Sequence, residues 1–122
     1  MAKQFADRTH FVHLRSCYIF PNGNFTEASH LGGRGHLIEL CRIFEKAEQE
    51  GKCNSGRRLP MRVDHGMTFT DEPGGVFDES NHGHNAGYTL LGRMFAMGQI
   101  QGVIATVDDE LGIEYKQPGF YD

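Results

Sequence analysis

Two short clusters in this chain carry side chains able to hold a cation or move a proton. His13-Leu14-Arg15-Ser16 stands near the start and Asp64-His65-Gly66 near the middle. Imidazole and carboxylate together suit a borderline or hard divalent ion such as Mn, Fe(II) or Zn. Two donors do not close a coordination shell, so spacing leaves a second reading open, in which His13 is a satisfied core histidine and Asp64 caps a turn. Cys17 follows the first cluster, but a small free thiol is more often packed or exposed than ligating. His82 and His84, in Asn81-His82-Gly83-His84-Asn85, read as turn residues, with an outer-shell decoration of a site or a metal-scavenging loop as the alternatives.

The elements that must position these groups can be read from pattern. His10–Leu14 is short and rich in β-formers, a strand ending near Arg15, and Leu59–Asp64 is a second short strand with Pro60 near its start, where a missing N–H is tolerated. Between them, Ser16–Gly35 contains the turn signals Pro21-Asn22-Gly23-Asn24 and Leu31-Gly32-Gly33-Arg34-Gly35. It reads as a long loop, with Thr26–His30 at most one helical turn. Over His36–Glu50 the apolar Leu37, Leu40, Cys41, Phe44 and Ala47 recur at three- and four-residue steps, and Gly51 is placed to end a helix.

After the second strand, Gly66–Gly87 is polar and glycine-rich and reads as a surface loop or flap. Leu90, Leu91, Met94 and Phe95 fit a helix from Tyr88 to about Ala96. Ile100, Val103, Ile104, Val107 and Leu111 then continue in helical rather than alternating steps, which outweighs their β-branched propensity. The tail from Gly112 has no clear period. Strand, loop, helix, strand, loop, helix is the order of βα units, and parallel strands would bring both polar clusters to one rim.

Composition narrows the function classes. At 122 residues the chain suits one domain but is only half of the roughly 250 residues of a closed (β/α)8 barrel. With 23% charged and 39% hydrophobic residues it is expected to be a globular protein without a membrane-spanning run. A net charge of -4 without a basic stripe argues against nucleic acid. Three scattered cysteines, and an N-terminus without the apolar core of a secretory signal, point to a reduced, cytoplasmic setting.

Four motifs extend the case: Phe11-Val12-His13-Leu14-Arg15-Ser16, Thr26-Glu27-Ala28-Ser29-His30-Leu31-Gly32-Gly33, Leu59-Pro60-Met61-Arg62-Val63-Asp64-His65-Gly66 and Ala86-Gly87-Tyr88-Thr89-Leu90-Leu91-Gly92-Arg93. In this order they resemble successive motifs of the mannonate dehydratases, over Phe11 to about Gly102. Val63 replaces a usual proline before Asp-His-Gly, and the loop from Asp64 to Tyr88 is longer than usual. The resemblance implies an α/β chain that is the C-terminal portion of a (β/α)8 TIM barrel, a single partial domain over 1–122 holding the last two βα units. It also implies dehydration of D-mannonate to 2-keto-3-deoxygluconate with Mn2+ or Fe2+.

By the same resemblance His13 and Asp64 are metal ligands, His65 and Tyr88 are catalytic residues with acid/base or substrate-contact roles, and Arg15 and His30 contact the sugar-acid substrate. Glu27 stands near the site, against the simpler reading of a solvated Glu on a one-turn helix. The family's other ligands, a Cys and a His, belong to upstream strands, so the shell is expected to be incomplete here and the chain inactive alone. Homo-oligomerisation, or association with the remaining barrel portion, is expected to follow. The rival readings are a non-catalytic barrel fragment and another metal-dependent sugar isomerase or epimerase on a similar barrel.

Overall fold

A computed structural model of the chain describes residues 1–54, 57–65 and 90–114. At its centre two three-residue strands, β1 (Val12–Leu14) and β4 (Met61–Val63), run parallel, with Val12 opposite Met61, His13 opposite Arg62 and Leu14 opposite Val63. Both strands are shorter than the sequence suggests, and both start later. Alternation gives this small sheet two unlike faces. Leu14 and Val63 are buried, while His13 and Arg62 between their neighbours are exposed.

Two helices cover the apolar face. Helix α2 (Leu37–Gln49) buries Leu37, Cys41, Phe44, Glu45 and Ala47, and α3 (Leu90–Leu111) buries Gly92, Ala96, Ile100, Val103, Val107 and Asp108. Leu14, Val63, Leu37 and Cys41 join Ala96, Ile100, Val103 and Val107 in one core. A second core, of Ala6, Phe44, Ala47, Cys53 and Leu59, packs against the C-terminal half of α2. It draws in the N-terminal turns, α1 (Ala2–Phe5) and a 3-10 turn over Ala6–Arg8, which the sequence pattern had not suggested.

Both long helices stop in the same way. After α2, Gly51 adopts φ +67°, its N–H donates to Glu48 O at 2.8 Å, and Lys52 N–H reaches back to Ala47 O at 2.8 Å. After α3, Gly112 adopts φ +69°, with Gly112 N–H on Asp109 O at 3.1 Å and Ile113 N–H on Asp108 O at 2.8 Å. These paired bonds satisfy carbonyls that a helix end otherwise leaves open, and the left-handed position favours glycine.

Three sequence expectations are corrected. Ser16–Gly35 is not an open loop with a helical turn. It contains an antiparallel hairpin of β2 (Cys17–Ile19) and β3 (Phe25–Glu27), with Cys17 opposite Glu27 and Ile19 opposite Phe25. The turn signals mark its loop, which Phe20 N–H to Asn24 O at 2.8 Å closes, but each flanking strand is too short to show alternation. Second, the apolar runs read separately around Ala96 form one continuous α3. Third, composition does hold one segment long and apolar enough to cross a membrane, the 22-residue α3 with mean hydropathy 1.2 in its most apolar window. Here one stripe of α3 packs on α2 and on β4. The Gly66–Gly87 loop, Tyr88, and the tail beyond Glu114 lie outside the described residues.

Candidate active site at the strand ends

Parallel pairing of β1 and β4 carries their C-terminal ends, and so both polar clusters, to one rim. The register runs past the strands: Asp64 N–H donates to Leu14 O at 3.0 Å. His13 Nδ1 then lies 3.6 Å from Asp64 Oδ1, with both side chains partly exposed. Its neighbour His65 is more enclosed, at 16% side-chain exposure, with Nε2 3.7 Å from Asp64 Oδ2 and Nδ1 3.6 Å from Glu27 Oε1.

Glu27 reaches the rim because it ends β3. Its carboxylate, 6% exposed, is held by Arg15, whose Nε donates to Oε1 at 3.0 Å and to Oε2 at 3.2 Å while Nη2 also bonds Oε1. Burial of a carboxylate is tolerated when a guanidinium is bound to it in this forked way. The same pair raises the Arg15 pKa above its ordinary value, chiefly through the hydrogen bonds to Glu27. The guanidinium carbon also stands 5.4 Å from the centre of the Phe25 ring. Arg15, Glu27, His65, Asp64 and His13 therefore form one continuous polar chain across the ends of β1, β3 and β4.

Behind this chain sits His30, only 1% exposed. Its Nε2 is 2.8 Å from Leu14 O. A carbonyl can only accept, so Nε2 carries the proton. Leu14 O thereby takes two bonds, one from Asp64 N–H and one from His30, which fixes the backbone between His13 and Arg15. His30 N–H in turn donates to Gln99 Oε1 of α3 at 3.0 Å. Sequence reasoning had not singled out Gln99 for this. The available signal was a pair of glutamines, Gln99 and Gln101, in an otherwise apolar stretch of helix.

The glycines of the second motif let the chain pass close beneath the rim. A methyl group on Gly33 would overlap Ser16 Oγ and lie 2.9 Å from Ala28 Cβ and 3.0 Å from Cys17 O. Ser16 Oγ also accepts Gly35 N–H at 3.2 Å, and Arg34 N–H donates to Cys17 O at 3.0 Å. Cys17 is held beside Glu27 by the hairpin register. Burial, and then the Glu27 charge, push its thiol pKa up, which opposes the thiolate a metal requires.

Of the residues expected to act, the structure brings His13, Arg15, Asp64 and His65 to one rim, and it keeps His30 in the interior behind them. Tyr88 lies outside the described residues, as do His82 and His84. His13 Nδ1 and Asp64 Oδ1 at 3.6 Å are close to the separation, about 3.4 Å, of two donors in a tetrahedral shell. Among the described residues no group of three His, Cys, Asp or Glu side chains is arranged to hold a metal ion.

The chain is 35% identical over 113 residues to mannonate dehydratase 2 of Agrobacterium fabrum, covering 91% of this chain and 26% of that protein. It is 34% identical over 110 residues to the mannonate dehydratase of Saccharophagus degradans, covering 88% of this chain and 26% of the relative. With the Brucella canis mannonate dehydratase the identity is 31% over 109 residues, covering 88% and 25%. The chain thus spans about a quarter of the length of the curated relatives it matches. The family description "D-mannonate dehydratase (UxuA)" matches residues 1–114, a span that includes both polar clusters, so the chain belongs to the D-mannonate dehydratase family.

Proposed function

We propose that this chain supplies one metal- and substrate-facing edge of a D-mannonate dehydratase site, at the C-terminal rim of a (β/α)8 barrel completed by further chain. The observation that carries the reading is the convergence of His13 and Asp64, 3.6 Å apart, at the ends of adjacent parallel strands. His13 and Asp64 would hold a divalent ion, Mn2+ or Fe2+, and further donors would come from outside the described residues. Bound there, the ion supplies Lewis acidity that offsets negative charge on substrate oxygens.

The chain's own groups then have distinct tasks. His65 stands between the Asp64 and Glu27 carboxylates, which suits it to hold and pass a proton as the C2–H of a sugar acid ionises or the C3 hydroxyl departs. Tyr88 is proposed as its counterpart. Arg15 presents a cation to the substrate carboxylate from an orientation locked by Glu27. His30 acts through Leu14 O, which its hydrogen bond holds in place.

Association is part of the same proposal. Among the described residues β1 and β4 form a sheet of two strands, so each offers a further edge, and an unfilled edge invites pairing. The remaining barrel portion, or a second copy, would cover it. Free thiols at Cys17, Cys41 and Cys53 support a reduced, cytoplasmic setting.

Titration of the chain with Mn2+, followed by the electron paramagnetic resonance signal of the free ion, tests the reading. Weak binding is expected, reduced about tenfold or more by His13→Ala and by Asp64→Ala, in line with the loss of one of few ligands. Affinity indifferent to both substitutions would remove the proposal. Mannonate with Mn2+ is expected to give no keto acid with the chain alone, and turnover abolished by Asp64→Ala would show that the chain completes its own shell.

A further inference from the structure

We propose that Glu45 and Asp108 share one proton across the interface of α2 and α3, forming a latch that is closed in acid and loosens as the pH rises. This inference is independent of the chemistry at the strand ends. Asp108 is 0% exposed and Glu45 is 4% exposed, on two helices that make the main helix–helix contact of the fold. Neither Asp108 oxygen has a hydrogen-bond donor among the described N–H and O–H groups of other residues. The group in reach is the Glu45 carboxyl, which is within side-chain hydrogen-bonding distance.

Two carboxylates cannot both be charged in such a place. Each would lose its hydration, and their mutual repulsion would add to that loss. One proton between them removes the repulsion and converts an acceptor–acceptor contact into an O–H···O hydrogen bond, the arrangement that a pair of close carboxyls adopts elsewhere in proteins. The surroundings favour the same outcome. On α2, Cys41 lies against the pair as a neutral thiol, its pKa pushed up to about 12 first by burial and then by the negative charge of the carboxyl pair. Also on α2, Glu48 adds negative charge, although its Oε2 is engaged by Leu59 N–H at 2.6 Å.

The opposing influence is cationic. Arg58, on the segment leading to β4, favours the ionised form of Glu45. Arg62 of β4 and Arg93 of α3 line the same groove as Glu45, a cavity of about 570 Å³. Burial and the carboxyl neighbours outweigh Arg58, and the Glu45 pKa is raised to about 7. The sign follows. A carboxyl whose pKa is higher in the folded chain contributes stability that is fully present below its ordinary value of 4.5 and is lost as the pH rises through about 7.

Urea unfolding of the full chain between pH 4.5 and pH 8 tests the latch. For the wild type the folding equilibrium constant is expected to fall on the order of a hundredfold across this window. Asp108→Asn removes the charge facing Glu45 and Glu45→Gln removes the group whose pKa is raised, and each is expected to flatten most of that fall, leaving the variants relatively more stable at pH 8. Profiles for wild type and both variants that run parallel would overturn the proposal. A second measurement needs no variant to fold: at pH 6 the wild-type infrared spectrum should keep the C=O stretch of a buried protonated carboxyl. Absence of that band at pH 6, when carboxyls of ordinary pKa are ionised, would equally sink it.

Discussion

The two long helices rest on the same sheet and finish their surfaces differently. Helix α2 buries one stripe and gives its other sides to charge: Glu39 pairs with Lys3 at 3.1 Å, and Arg42 meets Glu110 through Nε–Oε2 at 2.7 Å and Nη2–Oε1 at 2.9 Å. Exposed pairs of this kind add little stability, but they make a face that water can wet. Helix α3 buries Gly92, Ala96, Ile100, Val103 and Val107, yet in its first turns Leu90, Leu91, Met94, Phe95 and Met97 are exposed as well. A helix apolar around most of its circumference belongs inside something larger. The contrast teaches that α2 meets water with charge, whereas large apolar side chains in the first half of α3 stay exposed.

The largest expected effect lies on the finished helix. Phe44 fills the second core with Ala6, Ala47, Cys53 and Leu59, so Phe44→Ala should cost about 3–5 kcal/mol by loss of transfer energy and an unfilled cavity. Urea unfolding measures it, and a loss under about 1 kcal/mol would mean that this side of α2 is not packed as described.

Next in size is a pair of glycine substitutions with opposite signs. Gly33→Ala brings a methyl onto Ser16 Oγ and against Ala28 and Cys17 beneath the rim, and should destabilise by about 1–3 kcal/mol. Gly98→Ala on α3 meets nothing within 4 Å and should stabilise by about 0.5–1 kcal/mol through helix propensity. Thermal melts of the two variants side by side distinguish a glycine required for close approach from one that is merely helical. Equal effects would erase the distinction.

How much of this was legible depended on the range of the interactions involved. Helix α2 was plain because its three- and four-residue spacing is local, and its end was plain because Gly51 marks it. The strands carrying His13 and Asp64 were legible as positions, but their length is set by a pairing of only three residues, which no single strand encodes. The β2–β3 hairpin was hidden because its strands are too brief for alternation to show. Glu27 on a one-turn helix would be solvated. In the structure it is buried at a strand end because Arg15, twelve residues earlier, neutralises it. The position of His30 likewise depends on Gln99, which is 69 residues away, and the Glu45–Asp108 pair on helices read one at a time. Side chains whose placement rests on a distant partner are the ones that pattern cannot supply.

The smallest expected effect on stability is also the sharpest test of the uncovered half of α3. Leu90 and Met94 are 70% and 60% exposed, so the double substitution Leu90→Ser with Met94→Ser should change folding free energy by about 0.5 kcal/mol or less. Its consequence should appear in association instead. Contiguous exposed apolar side chains drive contact with other surfaces, so the wild type should self-associate or bind a hydrophobic dye at concentrations where the variant does so weakly. If sedimentation and dye fluorescence are the same for both, the apolar turns of α3 are covered within the chain. The two helices would then be finished alike.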